Sequence, residues 1–348
     1  MNRLGMTALA VLAVATPVAA RNPIVPGWYA DPEIRVFGDR YWIYPTYSDD
    51  AGKPDVSPSF TPEQVKLRRQ HTVRPSYLQQ TFFNAFSSPD LVHWTKHSHV
   101  LDVADVAWAG YAVWAPSAIE HKGRYYLFFG ANDIQSDAQQ GGIGVAVADT
   151  PGGPFKDAIG KPLIGAFHNK AQPIDPFVYR DDDGQVYLYY GGWRQCNVVR
   201  LSDDLRTVRP FADGTTYKDI TPPGYVEGSF VIKRKGVYYL MWSEGAWTGS
   251  DYRVAYATGK SPTGPFTPKG TILAEDARIA RGAGHHSVVN VPGTDEWYIV
   301  YHRRPLGDDK GEHRQIAIDR MTFAADGSIK PVVLTNSGAP LRPIARRK

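Results

Sequence analysis

Three acidic residues of this 348-residue chain stand in similar sequence contexts and could form an acid–base centre. Asp31 and Asp175 each precede a proline, and Glu227 takes a comparable place before a glycine. If the three carboxyl groups meet, mutual repulsion and partial burial raise the pKa of at least one of them, while another stays ionised. A proton donor and a proton acceptor placed in this way are the groups that hydrolyse a glycosidic bond.

The acids lie far apart in sequence, and a repeated pattern accounts for how they could meet. Five copies each contain a short apolar strand, a tight turn with a glycine, and an aromatic-rich strand. The copies start at Asp31, Ala115, Asp175, Glu227 and His285, and their turn glycines are Gly38, Gly123, Gly184, Gly236 and Gly293. One such unit cannot bury both faces of its own sheet, so the repeat predicts an all-β chain folded as a single five-bladed β-propeller domain. Equivalent positions in radial blades point to a common axis, where the acids would converge.

A structural explanation of the acids stays open beside the chemical one. A lone Asp-Pro pair is more often a turn former, and a ring of acids at strand starts could serve only to accept backbone N–H groups. Three acids in equivalent frames of one repeat favour the acid–base interpretation.

Residues beside the acids offer groups that could bind a ligand. For most of the nearby aromatic residues, packing inside a blade is the better explanation, but Trp114 is a preferred candidate for stacking on a sugar ring and Trp28 is a further one. Only one of His285 and His286 can face the axis, because neighbours in a strand point to opposite faces. The frame favours His285, as a ligand to substrate or to a central cation, or as a satisfied structural histidine. The chain has no HExxH, paired CxxC or EF-hand spacing, so a catalytic metal is unsupported.

The composition and the two ends of the chain bear on which partners the protein binds and where it acts. The formal net charge is +4, and the only basic block is Arg346-Arg347-Lys348, so nucleic-acid binding has little support. Residues 1–20 read as a secretory signal peptide cleaved after Ala20, with an uncleaved anchor as the alternative. Residues 21–348 are therefore expected to be secreted or periplasmic, with no membrane contact after cleavage and no evident protein partner. A polar insertion at about 49–80 in the first blade is either a surface loop or a flap over the site.

From about Asn22 to Val333 the chain resembles glycoside hydrolase family 43, whose members are five-bladed propeller β-xylosidases, α-L-arabinofuranosidases and arabinanases. The matching motifs are Asn22-Pro23-Ile24 with Tyr29-Ala30-Asp31-Pro32, Trp114-Ala115-Pro116-Ser117, Ile174-Asp175-Pro176-Phe177, Tyr225-Val226-Glu227-Gly228 and Gly284-His285-His286-Ser287-Val288. Each motif alone is weak, but five in the same order and frame are specific. One departure is Ser229, where many members have proline.

The resemblance implies an inverting hydrolysis with one role for each acid. Asp31 matches the general base that activates water, Glu227 matches the general acid that protonates the leaving oxygen, and Asp175 matches the carboxylate that tunes the pKa of the acid and orients it. Inversion requires the base and acid carboxyls to lie roughly 6.5–9.5 Å apart, which leaves room for the water. The histidine matching His285 lies in the central channel of many members, sometimes near a calcium ion, although no cofactor is required.

The substrate implied by the resemblance is a carbohydrate, namely a terminal arabinofuranosyl, xylosyl or related residue of plant cell-wall polysaccharides or oligosaccharides. The preferred sugar is the property that varies most within the family. Two alternatives stay open, an endo-acting arabinanase and a carbohydrate-binding propeller without turnover. Invertase-like propellers, which retain configuration, rank lower because their motifs are not evident.

Overall fold

A computed structural model of the chain describes residues 21–49, 60–70 and 74–344. Within these ranges, twenty strands form five antiparallel sheets arranged as blades around a central axis, so the predicted five-bladed β-propeller is confirmed. The predicted signal peptide and the basic residues 346–348 lie outside the described residues.

The blades follow one another along the chain, and each is built mainly from neighbouring antiparallel strands. Blade I contains β1 (Tyr29–Phe37), β2 (Arg40–Tyr47), β3 (Phe82–Ser88) and β4 (Thr95–Asp102). Blade II contains β5 (Trp114–His121), β6 (Arg124–Ala131), β7 (Gly142–Ala148) and β8 (Lys156–Asp157). Blade III contains β9 (Phe177–Arg180), β10 (Val186–Tyr190), β11 (Asn197–Leu201), β12 (Val208–Arg209) and β13 (Lys218–Asp219). Blade IV contains β14 (Glu227–Arg234), β15 (Val237–Glu244), β16 (Arg253–Gly259) and β17 (Phe266–Leu273), and blade V contains β18 (Arg281–Asn290), β19 (Trp297–Arg304) and β20 (Gln315–Met321).

The turn that joins the first two strands of every blade uses the glycine that the repeat predicts. Gly38, Gly123, Gly184, Gly236 and Gly293 all have φ between 60° and 86°. A Cβ atom at any of the five would meet nothing within 4 Å, so the requirement is the left-handed backbone and not the space around it.

A bulge near the start of the innermost strand turns one residue per blade towards the axis. In blade I, Ala30 pairs with Thr46 and Glu33 pairs with Tyr44, which leaves two residues of β1 opposite one of β2. Matching register shifts occur in blades II, IV and V. In these four blades the residue that directly follows the last pair before a register shift is left-handed. In blade III the left-handed residue is Asp175, two residues before β9. The five residues are Asp31 (φ 49°), Ala115 (44°), Asp175 (53°), Gly228 (65°) and His285 (38°).

The ring is closed by the N-terminal segment, which pairs with the three-stranded fifth blade. The Ile24 N–H group donates to the Ile316 carbonyl at 3.0 Å. The Asn22 side chain donates to the Ile318 carbonyl at 3.1 Å and accepts from the Ile318 N–H group at 2.9 Å. This segment runs directly into β1, so closure of the ring also positions the strand that carries Asp31.

The described part of the insertion in blade I is packed against the body of the protein. Helix α1 (Pro62–Arg69) begins after Thr61, whose side chain and that of Gln64 exchange hydrogen bonds with each other's backbone N–H groups in a capping box. Gln64 is fully buried, and its Nε2 lies within 3.3 Å of three carbonyl oxygens in the segment from Val103 to Ala109. A 3₁₀ turn, Pro75–Gln79, leads back to β3. No helix in the described ranges is long and apolar enough to cross a membrane.

Candidate active site

A pocket of about 280 Å³ opens at one end of the propeller axis. Three groups of residues line it: the acidic residues, the aromatic residues and a set of polar or aliphatic neighbours. The lining residues are Asp31, Asp133, Asp175 and Glu227; Tyr77, Trp114, Trp193 and Trp247; and Gln80, Gln135, Gln172, Ile174, His285 and Arg314. The propeller therefore brings together the three acids that the repeat singled out.

The fourth blade differs from the expected frame by one residue. The register of β14 places Glu227 opposite Ser243, and this is the place that Ala30 and Trp114 occupy in blades I and II. The left-handed residue equivalent to Asp31 is Gly228. Glu227 thus projects into the same pocket as Asp31 from the neighbouring position on its strand, and the equivalence of Glu227 with Asp31 that the repeat suggested is corrected.

Asp31 is buried among positively charged and ring-nitrogen groups. Its Oδ1 lies 3.3 Å from Nδ1 of His285 and 3.3 Å from Nη1 of Arg314. Burial alone would raise the pKa of Asp31, but the charges of His285 and Arg314 outweigh it and hold the pKa well below its usual range. Asp31 is therefore ionised at neutral pH, as a general base must be.

The surroundings of Glu227 shift its pKa in the opposite direction from that of Asp31. The Tyr252 hydroxyl donates to its Oε1 at 2.8 Å. Burial raises the pKa of Glu227, and the lowering effects of His285 and of the Tyr252 hydrogen bond do not cancel that rise. Two carboxyls whose environments push their pKa values apart can serve as an acid and a base in one pocket.

Asp175 supports the backbone that carries Glu227. Its Oδ2 accepts the Gly228 N–H group at 3.2 Å, directly after the predicted acid. Burial, followed by repulsion from Glu227 and Asp31, raises the pKa of Asp175 well above its usual range. This contact gives Asp175 a physical means to orient Glu227, whereas the repulsion between the two carboxyls raises the pKa of Asp175 itself.

His285 lies between the acids, and His286 does not line the pocket. Nδ1 of His285 is 3.8 Å from Oδ2 of Asp175, and its backbone N–H donates to Ser243 Oγ at 2.9 Å. Within the described ranges, His285, Asp175 and Glu227 form a group of potential metal ligands, with one atom from each lying within 4.8 Å of the others. These atoms are one nitrogen and two oxygens, whereas calcium takes six to eight oxygen ligands, so water would have to supply most of a calcium shell here.

Of the two tryptophans predicted to bind substrate, one lines the pocket and the other does not. Trp114 lines the pocket as predicted, and its indole N–H donates to the side-chain oxygen of Gln80. Trp28 does not line the pocket; its ring stacks on His313 at 4.1 Å, so its prediction as a substrate-binding residue is corrected. Trp193 and Trp247 take part in the pocket instead.

Arg314 and His302 support Asp31, and no repeat position pointed to either of them. The buried Arg314 guanidinium contacts Asp31, and its Nε donates to Ser48 Oγ at 3.0 Å. The Asp31 N–H group donates to Nδ1 of His302 at 3.2 Å, and the same nitrogen lies 3.3 Å from Oδ1 of Asp31. Burial lowers the pKa of His302 to about 4, so it stays a neutral acceptor that holds the left-handed Asp31 backbone.

The segment Arg74–Gln80 forms one wall of the pocket. Tyr77 and Gln80 line it, and Ser76 Oγ donates to Oε1 of Glu312 at 2.9 Å on the far side. The guanidinium groups of Arg74 and Arg314 each lie 4.6 Å from the centre of the Trp247 ring. The insertion therefore contributes a wall that reaches from blade I to the loops of blades IV and V; residues 50–59 and 71–73 lie outside the described residues.

Arg314→Met should shift the acidic limb of the kcat/KM profile to higher pH. The base must be ionised, and removal of the guanidinium takes away one of the charges that offset burial, so the pKa of Asp31 rises although His285 still lowers it. A nearby opposite charge moves a carboxyl pKa by roughly one to three units, so we expect a shift of that order. Arg278→Met, at an exposed arginine paired with Asp276, is the matched control. An unmoved acidic limb in Arg314→Met would contradict the role given to Arg314.

Comparison with known proteins agrees with the geometry of the site. The family model for Glycosyl hydrolases family 43 matches residues 20–329. The chain is similar to a β-D-galactofuranosidase of Aspergillus niger, with 41% identity over 94% of this chain and 88% of that protein, and to a xylosidase/arabinosidase of Bacteroides ovatus, with 29% identity over 88% and 95%. Among solved structures, an α-L-arabinofuranosidase of Clostridium thermocellum is 29% identical with a TM-score of 0.68, over 89% of this chain and 95% of that one.

A β-xylosidase/α-arabinofuranosidase from a compost microbial metagenome, solved with xylotriose in a calcium-free form, has a TM-score of 0.70 and 29% identity, over 90% of this chain and 98% of that one. The family match covers most of the chain, and one relative exceeds 40% identity over nearly its whole length. The chain belongs to glycoside hydrolase family 43 and is a glycosidase that hydrolyses O-glycosyl bonds with inversion of configuration.

Proposed function

We propose that this enzyme removes single terminal α-L-arabinofuranosyl or β-D-xylosyl residues from plant cell-wall polysaccharides and oligosaccharides. The observation that carries the exo-acting part of this proposal is the wall formed by Arg74–Gln80. Ser76 contacts Glu312 and Arg74 contacts Trp247, and these contacts support a closed side of the pocket on which a polysaccharide would find no continuous groove. An endo-acting arabinanase would need a cleft open at both ends, so the enclosed pocket favours release from chain ends.

The proposed reaction assigns one proton transfer to each of two carboxyls. Ionised Asp31 takes a proton from a water molecule, which attacks the anomeric carbon, while protonated Glu227 gives its proton to the departing glycosidic oxygen. Asp175 holds the Glu227 backbone through Gly228, and Arg314 with His302 holds Asp31. A calcium ion near His285 would have a structural role, because one proton passes from water to Asp31 and the other from Glu227 to the glycosidic oxygen.

A β-D-galactofuranosyl residue is the second candidate, and one similarity favours it. The relative of Aspergillus niger with 41% identity is named a β-D-galactofuranosidase. The ring of β-D-galactofuranose has the configuration of the α-L-arabinofuranose ring and carries a longer exocyclic chain. A pocket that fits one of these sugar rings therefore also fits most of the other, apart from its exocyclic chain.

A substrate panel with product analysis tests the proposal. Aryl α-L-arabinofuranoside, β-D-xyloside and β-D-galactofuranoside should be compared at equal concentration, with the anomer first formed identified by NMR. We expect hydrolysis of at least one of them with inversion, and monosaccharide as the first product from arabinan or arabinoxylan. Oligosaccharides as first products would favour the endo-acting alternative, and retention of configuration would contradict the roles of Asp31 and Glu227.

We also propose that the enzyme acts outside the cytoplasm. The apolar run and small residues of segment 1–20 support this proposal. N-terminal sequencing of protein from the extracellular or periplasmic fraction should begin at Arg21; a mature protein that begins at Met1 would contradict cleavage after Ala20.

A further inference from the structure

The pocket contains a fourth carboxyl group that the acid–base reaction does not use. Asp133 follows β6 in the loop to β7, with a left-handed backbone (φ 41°) and only 7% of the residue exposed. It lines the same pocket as Asp31 and Glu227. No repeat position marks it, because it lies in a loop beyond the strands.

Two glutamine side chains fix the orientation of this carboxyl group. Oδ1 of Asp133 accepts from Nε2 of Gln172 at 2.9 Å and from Nε2 of Gln135 at 3.0 Å. Gln172 also donates to the Ile134 carbonyl at 2.9 Å, which anchors it to the same loop. Within the described ranges, no hydrogen bond is made by Oδ2. One oxygen is thus held by protein donors, and the other remains as an acceptor at the pocket wall.

Asp133 lacks the positive partner that a buried carboxylate usually has. In the described part of the chain, neither lysine, arginine nor histidine forms an ion pair with it. Burial raises the pKa of Asp133 to about 7, and the two glutamine hydrogen bonds offset only part of that rise. A desolvated acid that is oriented but unpaired is unfavourable for stability and is typical of a functional site.

The position of Asp133 indicates which part of a substrate it meets. The scissile bond lies between Asp31 of blade I and Glu227 of blade IV. On the blade V side of that line, the Tyr252 ring fills the space beside Gly284, where even a Cβ atom would lie 2.3 Å from Tyr252 Cε1. On the side of blades II and III the pocket is lined by Trp114, Ile174, Asp133, Gln135, Gln172 and Trp193. A sugar ring bound between Asp31 and Glu227 therefore lies in the same pocket as Asp133.

We propose that Asp133 is a specificity-determining residue whose free carboxylate oxygen accepts hydrogen bonds from a hydroxyl group of the terminal sugar. Hydroxyl groups are the donors that such a sugar offers, and a carboxylate oxygen can accept two of them. This inference rests on the proposed exo-acting function, since it requires the terminal sugar to enter the pocket. A site that hydrogen-bonds a substrate hydroxyl discriminates strongly against an analogue lacking it.

The test is a cycle that combines Asp133→Asn with removal of single hydroxyl groups from the substrate. kcat and KM are measured for the aryl glycoside that the wild type hydrolyses best and for its single-deoxy analogues. In the wild type, one analogue should lose about tenfold to a hundredfold in kcat/KM, as expected for a hydrogen bond to a charged group. With the parent glycoside, kcat/KM of Asp133→Asn should fall below that of the wild type by a similar factor. With that deoxy analogue, the variant and the wild type should have nearly the same kcat/KM. Equal losses in variant and wild type for every deoxy analogue would overturn the proposal.

Controls separate this inference from a disturbed loop and from the proposed function. Asp137→Asn changes an exposed carboxyl of the same loop that does not line the pocket, and its deoxy pattern should match the wild type. The deoxy analogues can be measured with the wild type alone, so this part of the test remains valid even if Asp133→Asn folds poorly. If removal of no single hydroxyl group lowers kcat/KM of the wild type, the proposal is also overturned. If none of the three aryl glycosides is hydrolysed, the proposed function fails. Asp133 can then still be tested with any other glycoside that the enzyme cleaves, by comparing how strongly free monosaccharides and their deoxy forms inhibit that cleavage.

Discussion

Asp31→Asn should lower kcat/KM by at least about a hundredfold for every substrate, whatever its leaving group. The attacking water must lose a proton in each case, and an amide cannot accept it at neutral pH. The measurement is kcat/KM between about pH 4 and pH 9 for aryl glycosides with good and poor leaving groups. Because the pKa of Asp31 lies well below its usual range, the wild-type base is ionised throughout this measurement, and no pH within it should restore activity to the variant.

The structure supplies a suitable control for Asp31→Asn. Asn has almost the same size, and it tolerates a left-handed backbone well. The variant should therefore keep the fold, with a lower unfolding temperature because the buried Arg314 guanidinium loses the negative charge opposite it. Asp149→Asn, at an exposed residue paired with Arg124, controls for the chemical change and should leave the rate unaltered. A rate near that of the wild type in Asp31→Asn would remove Asp31 from the reaction.

Glu227→Gln should also lower kcat/KM by at least about a hundredfold, but only for substrates whose leaving group needs a proton. A nitrophenolate departs without much help, so the loss should be smaller for such aryl glycosides than for oligosaccharides. The basic limb of the profile should disappear, because burial raises the pKa of Glu227 and deprotonation of this group ends its work as an acid. Rates are compared across a series of leaving groups of increasing acidity.

This dependence on the leaving group distinguishes the acid from the base. Glu120→Gln, at an exposed position of β5, is the matched control for the glutamate change. Equal losses for all leaving groups in Glu227→Gln would contradict its role as the acid. A loss in Asp31→Asn that vanished with good leaving groups would require the two roles to be exchanged.

The repeat was sufficient to predict the propeller and the meeting of its acids, because blade number, hairpin turns and inward-facing positions all follow from local pattern. The one-residue offset of Glu227 could not be read in this way. A bulge changes which side chain faces the axis without changing the residue types that surround it. Tyr225-Val226 before Glu227 resembles Tyr29-Ala30 before Asp31, and this likeness hides the offset.

The groups that tune the acids were missed for a different reason. His302 lies on the middle strand of the fifth blade, Arg314 lies directly before its last strand, and Asp133 lies in a loop of the second blade. Their contacts with the pocket depend on how loops and blades are arranged in space, which no spacing along the chain encodes. Trp28 shows the converse error, since closeness in sequence to Asp31 did not place its ring in the pocket.

The left-handed residues at the propeller centre serve catalytic activity at a cost in the free energy of folding. Outside glycine, this backbone conformation costs roughly 1–2 kcal/mol per residue, and it occurs at Asp31, Ala115, Asp175 and His285. Three of the four also carry buried polar groups that catalysis requires. Substitutions that relax this backbone, or that neutralise the desolvated Asp175, should yield more stable but inactive proteins, so selection for heat resistance alone would tend to remove activity at the centre of the enzyme.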